Sequence, residues 1–186
     1  MHLAKRGIRA LGIAESFSGR TSSTMAGVVM RKDLRIDGVA IASLTVGGMD
    51  ATDAVLGIIA SLARRDINLA MVSGSVVAWF NILDPAVISE RTGLPLIVVT
   101  YEESEGLEGD IAHHFPGDLG RLRAYRNLGE RVPVELRDGV RVFIRAMGIS
   151  RKDAARVLRD FTRDGKVPEP VRVARLVARA AMRWQG

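Results

Sequence analysis

The sequence predicts an α/β fold with a mixed sheet, in which three antiparallel strands precede parallel strands and helices. Three apolar segments within residues 8–46 are joined by short links, and short links connect antiparallel neighbours. Two mainly apolar segments, INLAMVSG at 67–74 and PLIVVTY at 95–101, each follow a helical pattern, which is typical of parallel strands covered by helices. We expect a single domain over residues 1–186, with a basic helical portion at about 150–186.

The first strands place an acidic residue at the end of a strand. The segment IRALGIAE at 8–15 predicts the first strand, MAGVVMRKD the second, and the alternation after Arg35 the third. Glu15 therefore ends the first strand. A carboxylate in that place is either a solvated strand end or part of a site.

Two further carboxylates follow the third strand. After Gly47-Gly48, Asp50 and Asp53 stand at the start of a helix predicted from about Ala51 to Arg64. Both lie in its first turn, near the positive end of the helix dipole. On local grounds we favour an ordinary cap made by Asp50. The alternative is a site for a divalent metal ion.

An apolar and aromatic segment, SVVAWFN at 75–81, follows the strand predicted at 67–74. Ligands of α/β folds bind beyond the carboxyl ends of strands. Trp79 and Phe80 are thus candidates for stacking on a base, although we favour core packing for both rings. Asp84 then begins a helix as its N-cap, or belongs to the site.

The remaining predicted elements are a solvated acidic loop at 101–110, a helix at 118–129, a hairpin turning at Asp138-Gly139, and helices at 150–164 and from Val167 onward. His113 and His114 are neighbours whose side chains point in different directions. We therefore expect both at the surface and not on a shared metal ion.

The last predicted helix carries a stripe of basic side chains. Its members fall within about 80° of arc on a helical wheel, beside an apolar arc. They are Arg172, Arg175, Arg179 and Arg183. Because no acidic residue interrupts the stripe, we favour a face that tracks phosphates, and the alternative is a solvated edge.

Charge is distributed unevenly along the chain. Residues 1–118 carry 10 basic and 14 acidic side chains, whereas residues 119–186 carry 17 and 7, so the net charges are −4 and +10. Of the 27 basic residues, 23 are Arg, whose planar guanidinium suits phosphate. Nucleic acid is the natural partner of such a half, while a high-GC genome or a hot habitat would also enrich Arg.

Composition and missing motifs exclude several classes of protein. The chain has no cysteine, so it can form neither disulfides nor thiolate metal sites. The N-terminal segment shows no signal peptide and no apolar run reaches membrane-spanning length, so we expect a cytoplasmic protein. There is no Walker A loop, GxGxxG motif, paired-His motif or GxSxG elbow, which argues against the common nucleotide-binding, zinc and serine-hydrolase enzymes.

Three groups of residues are specific enough to suggest a family. They are Gly47-Gly48 with Asp50-Ala51-Thr52-Asp53, Phe80-Asn81 with Asp84, and Gly165-Lys166 with Pro168-Glu169-Pro170. With the strand segment RIDGVAIASLTV and the helix segment VRVARLVARA, they resemble the archaeal endonuclease dU family over nearly the whole chain. The resemblance implies a relative of endonuclease V, with a ribonuclease H-like mixed sheet and helices on both faces.

The resemblance also implies clustered carboxylates that bind Mg²⁺ or Mn²⁺ and activate water beside a phosphate. By position, Glu15 is the implied first metal ligand, and Asp50 or Asp53 the second. A further acid is expected at the end of the fourth strand, where this chain has Ser73. Asp84, at the start of the following helix, is the acid that would have to replace the missing carboxylate at Ser73. The catalytic candidates are therefore Glu15, Asp50, Asp53 and Asp84.

Two functions follow from these observations. The first is a metal-dependent endonuclease acting on uracil-containing DNA, with Trp79 receiving an extruded base and Lys166 and the Arg stripe holding the backbone. The second is a nucleic-acid-binding protein on the same fold that does not cleave, which Ser73 favours. DNA is the expected partner and RNA the alternative. A third possibility is a small-molecule phosphohydrolase or nucleotide-binding protein, and the lack of any phosphate-binding loop in this chain argues against it. We expect no membrane partner and predict no oligomeric state.

Overall fold

The computed structural model describes residues 7–19 and 21–184. Residues 1–6, Arg20 and the last two residues lie outside this part. The N-terminal segment that was predicted not to be a signal peptide starts in the first of these ranges. No helix in the described ranges is long and apolar enough to cross a membrane.

The strands in this part of the chain are β1 (Arg9–Ser16), β2 (Ser22–Arg31), β3 (Ile36–Thr45), β4 (Leu69–Ser73), β5 (Val76–Val77), β6 (Asn81–Ile82), β7 (Leu96–Thr100), β8 (Val132–Glu135) and β9 (Arg141–Met147). The helices are α1 (Ala51–Leu62), α2 (Pro85–Thr92), α3 (Glu108–His114), α4 (Leu119–Asn127), α5 (Arg151–Phe161) and α6 (Glu169–Trp184).

Seven strands form one mixed sheet in the order β3-β2-β1-β4-β7-β9-β8. Strands β1 to β3 make an antiparallel meander, and β4 and β7 continue the sheet parallel to β1. The hairpin of β8 and β9 closes the far edge with antiparallel pairing. The mixed sheet predicted from the sequence is therefore confirmed, and the carboxyl ends of β1, β4 and β7 meet at one edge.

The helices cover both faces of the sheet. Alternation along β4 shows the two layers, since Leu69 and Met71 pack toward α5 and α6, whereas Ala70 and Val72 pack toward α1 and α2. All four side chains are buried. The central strand is thus apolar on both sides, as its uninterrupted sequence predicts.

Helix α6 lies unusually close to β1. A methyl group placed on Gly12 would be 2.1 Å from the carbonyl carbon of Pro170, so only glycine permits this approach. Near the C-terminal end of α6, Met182 contacts Ser16, which is the last residue of β1. The basic stripe of α6 is thereby fixed beside the edge at which β1 ends.

Two predicted elements differ from the structure. Helix α3 begins at Glu108, inside the segment expected to be an acidic loop, because Ile111 is fully buried in a small apolar cluster with Ile82 and Leu128. Helix α5 ends at Phe161 and not at residue 164, because the chain becomes extended at Thr162. The other strands and helices begin and end within a few residues of the predictions.

Candidate active site

Glu15 is held at the end of β1 by two donors. Its Oε2 accepts a hydrogen bond from the Ser23 hydroxyl at 2.6 Å, and its Oε1 accepts one from the backbone N–H of Ala78 at 3.3 Å. Ser23 is buried on β2. The Glu15 carboxylate is therefore fixed between the meander and the loop after β4, and is not freely solvated.

Asp50 is held by donors on both sides. Its carboxylate accepts hydrogen bonds from the Thr45 hydroxyl at 2.8 Å, the Thr45 N–H at 3.0 Å and the Asn81 side-chain amide at 2.5 Å. Burial acts to raise the pKa of Asp50, but the bonds from Asn81 and Thr45 outweigh it and leave that pKa below its usual value. The group is thus an anion at neutral pH.

The cap predicted for Asp50 is wrong in its contacts. Asp50 occupies the N-cap position of α1, but its side chain makes no capping hydrogen bond. The amide oxygen of Asn81 instead accepts the hydrogen bond from the Ala51 N–H at 3.0 Å. Because Asn81 satisfies this donor at the helix start, the Asp50 carboxylate is free to turn toward Thr45.

A left-handed turn at 78–80 lies between the two carboxylates. Ala78, Trp79 and Phe80 have φ angles of 39°, 61° and 60°, an uncommon conformation for residues with side chains. Ala78 donates to Glu15 and accepts from the Gly47 N–H at 2.8 Å. Since Asn81 follows directly, Glu15 and Asp50 are each bonded to the same short segment.

A buried arginine fixes this turn. Arg121 of α4 is only 5% exposed, and its guanidinium donates to the carbonyl oxygens of Gly47 at 2.8 Å, Gly48 at 2.9 Å and Phe80 at 2.5 Å. Its Nε also donates to Asp118 at 3.1 Å. The sequence placed Arg121 on a basic helix, but nothing distinguished it from the exposed arginines of that helix.

An aromatic cleft opens beside the turn. It has a volume of about 580 Å³ and is lined by Phe17, Gly19, Val46, Gly47, Trp79, His114 and Phe115. Trp79 is 48% exposed, and its ring centroid lies 4.9 Å from that of His114. Core packing, predicted for both rings, holds for Phe80 and fails for Trp79, because the left-handed backbone turns Trp79 outward.

The other acidic candidates lie apart from this arrangement. The Asp53 side chain is 80% exposed and lies 3.9 Å from Arg91. Asp84 caps α2 as predicted, because its Oδ1 accepts from the N–H groups of Ala86 and Val87. Across residues 7–19 and 21–184, no three Asp, Glu or His side chains are close enough together to hold one metal ion. His113 and His114 are exposed, as expected.

Glu15 and Asp50 nevertheless suit a hard divalent cation. Mg²⁺ is usually held by one or two carboxylates, with water and substrate phosphate completing its octahedron. A carboxylate offers about four acceptor positions. Glu15 accepts two hydrogen bonds, whereas Asp50 accepts four from three donors, because the Thr45 N–H is shared between its two oxygens. Glu15 therefore keeps open acceptor positions, whereas a metal ion at Asp50 would replace one of the two contacts made by the shared Thr45 N–H. Carboxylate oxygens are the ligand type that suits Mg²⁺ or Mn²⁺.

Ser73 is bonded to a cation at the place where the resemblance implies an acid. Its hydroxyl accepts a hydrogen bond from the Arg175 guanidinium of α6 at 2.9 Å. The same guanidinium lies 5.7 Å from the centroid of the Tyr101 ring. The end of β4 thus carries a positive charge and no carboxylate.

The remaining basic candidates have different surroundings. Arg179 and Arg183 are exposed on α6, whereas Arg172 bonds to Glu169 at 3.0 Å. That partner raises the pKa of Arg172. Lys166 bonds to Glu102 and to the carbonyl oxygen of Tyr101. The predicted stripe is therefore open at its C-terminal end and internally paired at its start.

Comparison with known proteins identifies the family. The family model for endonuclease dU matches residues 6–182. The chain belongs to the endonuclease dU family. The UPF0215 protein of Pyrobaculum calidifontis is 38% identical over 170 residues, covering 90% of this chain and 93% of that protein. The predicted archaeal relationship is confirmed.

Solved structures confirm the fold of this family member. A protein of unknown function from Archaeoglobus fulgidus has a TM-score of 0.78 at 26% identity, covering 94% of this chain and 98% of its own. Endonuclease V from Ciona intestinalis, in complex with a 24mer DNA containing an inosine followed by a ribo-adenosine, has a TM-score of 0.67 at 14% identity. That match covers 99% of this chain and 89% of the Ciona chain. The fold is therefore that of endonuclease V.

Proposed function

We propose that this protein is a metal-dependent endonuclease acting on uracil-containing DNA, with Glu15 and Asp50 as its central carboxylates. Membership of the endonuclease dU family supports nuclease chemistry, and the family's name is the ground for proposing deoxyuridine as the recognised nucleotide. One structural observation carries the proposal: the turn at 78–80 bonds Glu15, presents Trp79 to a cleft, and leads into the Asn81 that holds Asp50. A reacting phosphate and a displaced base would then be positioned by one segment.

The carboxylates act as anions that are oriented before substrate binds. Ser23 and Ala78 orient Glu15, while Thr45 and Asn81 orient Asp50 and keep it ionised. A divalent ion held there would supply a Lewis acid for the phosphate oxygens and a more acidic water. The protein contributes preorganised charge, which is the part of such catalysis that a rigid site can provide.

The aromatic cleft is the proposed acceptor of the base. Its volume of about 580 Å³ lies within the range of about 300–1,000 Å³ typical of small-molecule pockets. The half-exposed Trp79 ring offers a flat surface, and stacking on an aromatic side chain contributes about 1–3 kcal/mol per base. Enzymes that act on a damaged base commonly extrude it from the duplex into such a pocket.

The basic face of α6 is the proposed contact for the DNA backbone. Arg175 lies at the end of β4, and Arg179 and Arg183 extend the same face toward solvent. Arg guanidinium groups suit phosphate because they donate in a planar fork. The DNA complex of the Ciona protein, which shares this fold, supports a nucleic acid as partner.

Cleavage of a labelled duplex with one deoxyuridine tests the proposal. Mg²⁺ or Mn²⁺ should support cutting and EDTA should abolish it, because the proposed chemistry needs a cation to stabilise the charge that develops on the phosphate and to make the attacking water more acidic. Glu15→Gln and Asp50→Asn should each abolish cutting while keeping DNA binding. Asp53→Asn is the matched control, since it removes an exposed charge from the same helix start. Cutting that persists in EDTA or in Asp50→Asn contradicts the site.

The base acceptor is tested with fluorescence. The chain has two Trp residues, and Trp184 is 91% exposed at the end of α6, so Trp184→Phe leaves Trp79 as the sole reporter. A deoxyuridine duplex should quench Trp79 more strongly than a thymidine duplex of the same sequence. Equal quenching by both duplexes, or none, argues against stacking in this cleft.

A nucleic-acid-binding protein without cleavage is the second candidate. The observation in its favour is that Ser73 carries a hydroxyl bonded to Arg175, where an acid would serve a metal ion. Under this alternative, the wild-type protein binds the duplex and cuts nothing with either metal. The same cleavage experiment therefore separates the two candidates.

A further inference from the structure

A second, smaller pocket lies next to the candidate site. It has a volume of about 190 Å³ and is formed where β4 and β7 end, with the start of the loop after β4 on one side. The side chains relevant to binding are those of Ser75, Thr100, Glu102, Arg131 and Arg145. The same loop continues to Ala78, whose N–H donates to Glu15, so one short segment connects the pocket with the candidate site.

Arg145 brings a half-buried positive charge to this pocket. Its guanidinium donates to the carbonyl oxygens of Leu128 and Gly129, each at 2.9 Å, and lies 3.5 Å from the Ser75 hydroxyl. These acceptors carry no charge. Burial lowers the pKa of Arg145, and the nearby Arg131 guanidinium lowers it further.

Arg131 lines the same pocket as a second cation. Its guanidinium donates to the carbonyl oxygen of Ser104 at 2.8 Å, which is again a neutral acceptor. Two like charges that share a small cavity repel each other unless an anion lies between them. The geometry is therefore that of a site built for a negative group.

The acids near the pocket do not neutralise this pair. Glu102 is the carboxylate in its lining, but it bonds to Lys166 and its side chain is 80% exposed. Arg131 and Arg145 also line an adjoining shallow cleft with Glu103, Glu105 and Glu130, but these three carboxylates are exposed, so water and salt screen their charges.

We propose that this pocket binds one phosphate group of the nucleic acid, an inference that rests on the proposed function for the nature of the ligand. The pocket, at about 190 Å³, is smaller than the range of about 300–1,000 Å³ that is typical of sites for larger ligands. It corresponds to roughly six water molecules of about 30 Å³ each, which suits a small group. The guanidinium groups of Arg131 and Arg145 supply charge, and the hydroxyls of Ser75 and Thr100 supply further donors. The phosphate is either an internal phosphodiester or the terminal monophosphate of a strand.

Binding without cleavage tests the pocket. In a buffer containing EDTA, the ³¹P resonance of inorganic phosphate should broaden and shift when wild-type protein is added. Arg131→Gln should weaken this binding by about tenfold, the loss expected for a charge-assisted hydrogen bond. Arg141→Gln is the matched control, because it removes an equal charge from an exposed position on β9. Arg145 is a poorer target, since it also holds the end of α4 through Leu128 and Gly129.

Undamaged single strands with a 5′-phosphate or a 5′-hydroxyl distinguish the two sources. Tighter binding of the phosphorylated strand, lost in Arg131→Gln and kept in Arg141→Gln, assigns a terminal phosphate. Equal binding of both strands, weakened only by Arg131→Gln, assigns an internal phosphodiester. Absence of phosphate binding, or equal weakening by both substitutions, overturns the pocket. Since no metal or uracil is present, failure of the nuclease proposal would leave this result unchanged.

Discussion

The Arg175 guanidinium lies 2.9 Å from the Ser73 hydroxyl and so joins α6 to the end of β4. This bond fixes one cation of the basic stripe at the edge of the sheet, while Arg179, one helical turn further on, is exposed. An anchored cation loses little conformational entropy when it contacts a phosphate. The two arginines therefore allow a comparison, on one helix face, between a cation bonded to the sheet and an exposed cation.

Substitution of these arginines should change the salt dependence of DNA binding. Arg175→Gln and Arg179→Gln should each reduce the slope of log affinity against log salt by about 0.9, the value for one duplex phosphate contact. Arg179→Gln should leave stability within about 0.5 kcal/mol of wild type, because the side chain is exposed. Affinities measured at four salt concentrations give the slopes. Arg156→Gln on α5 is the control, and a slope that falls equally in all three variants would count against the stripe.

Asn81 should control both the charge of Asp50 and the stability of the protein. In Asn81→Ala, Asp50 loses its 2.5 Å donor and the buried Ala51 N–H loses its acceptor. We expect a rise in the pKa of Asp50 and a loss of about 2–4 kcal/mol in the free energy of unfolding. Carboxyl ¹³C chemical shifts follow the pKa, and urea unfolding gives the stability. An unchanged Asp50 titration would show that Thr45 alone keeps the group ionised.

A methyl group at Gly12 should displace α6. It would lie 2.1 Å from the Pro170 carbonyl carbon, so Gly12→Ala should cost about 3 kcal/mol or more in stability and weaken DNA binding. Gly57→Ala is the matched control, because Gly57 is exposed in α1 with no atom within 4 Å of an added methyl group. That change should stabilise the protein by up to about 1 kcal/mol. Equal unfolding midpoints for the two variants would refute the close approach.

Acid should remove one part of the stability that Asp66 provides. A bidentate hydrogen bond from Arg64, at 2.7 and 2.8 Å, lowers the pKa of Asp66 from 3.8 to about 2. Between pH 3.8 and about 2, the unfolded state binds more protons than the folded state. The contribution of ionised Asp66 to the free energy of unfolding is therefore complete above pH 3.8 and disappears as the pH falls toward about 2. Exposure of the pair limits the effect to below about 1 kcal/mol.

The measurement for Asp66 compares urea midpoints of wild type and Asp66→Asn. The wild type should be the more stable protein at neutral pH, and the difference should vanish near pH 2. A difference that stays constant over this range would mean that the carboxylate charge is irrelevant.

The sequence predicts the order of strands and helices well, because apolar period and turn residues act locally. The hairpin at Asp138-Gly139 is an example, since both residues adopt the positive φ angles that its turn needs. The sequence also places Glu15 near the end of β1 and Asp50 and Asp53 at the start of α1, where the structure has them, while their role in catalysis stays a prediction.

The contacts of the candidate site could not be predicted in the same way. Asn81 and Arg121 act on residues that are 31 and 73 positions away in the chain, and no local pattern reports such partners. The Asp50 cap was predicted from local rules that ignore a competing amide. The outward Trp79 depends on a left-handed backbone that apolar sequence gives no reason to expect.

The turn at 78–80 also has an energetic meaning. An L-residue in the left-handed region costs about 1–2 kcal/mol relative to a right-handed one, and three such residues stand in succession here. Only glycine would relieve this strain, yet the middle position carries the largest side chain. The donors from Gly47, Arg121 and the turn itself hold a conformation that the chain alone would leave. A glycine at position 79 would make the turn more stable but would remove the outward-facing indole, and this sequence has the indole.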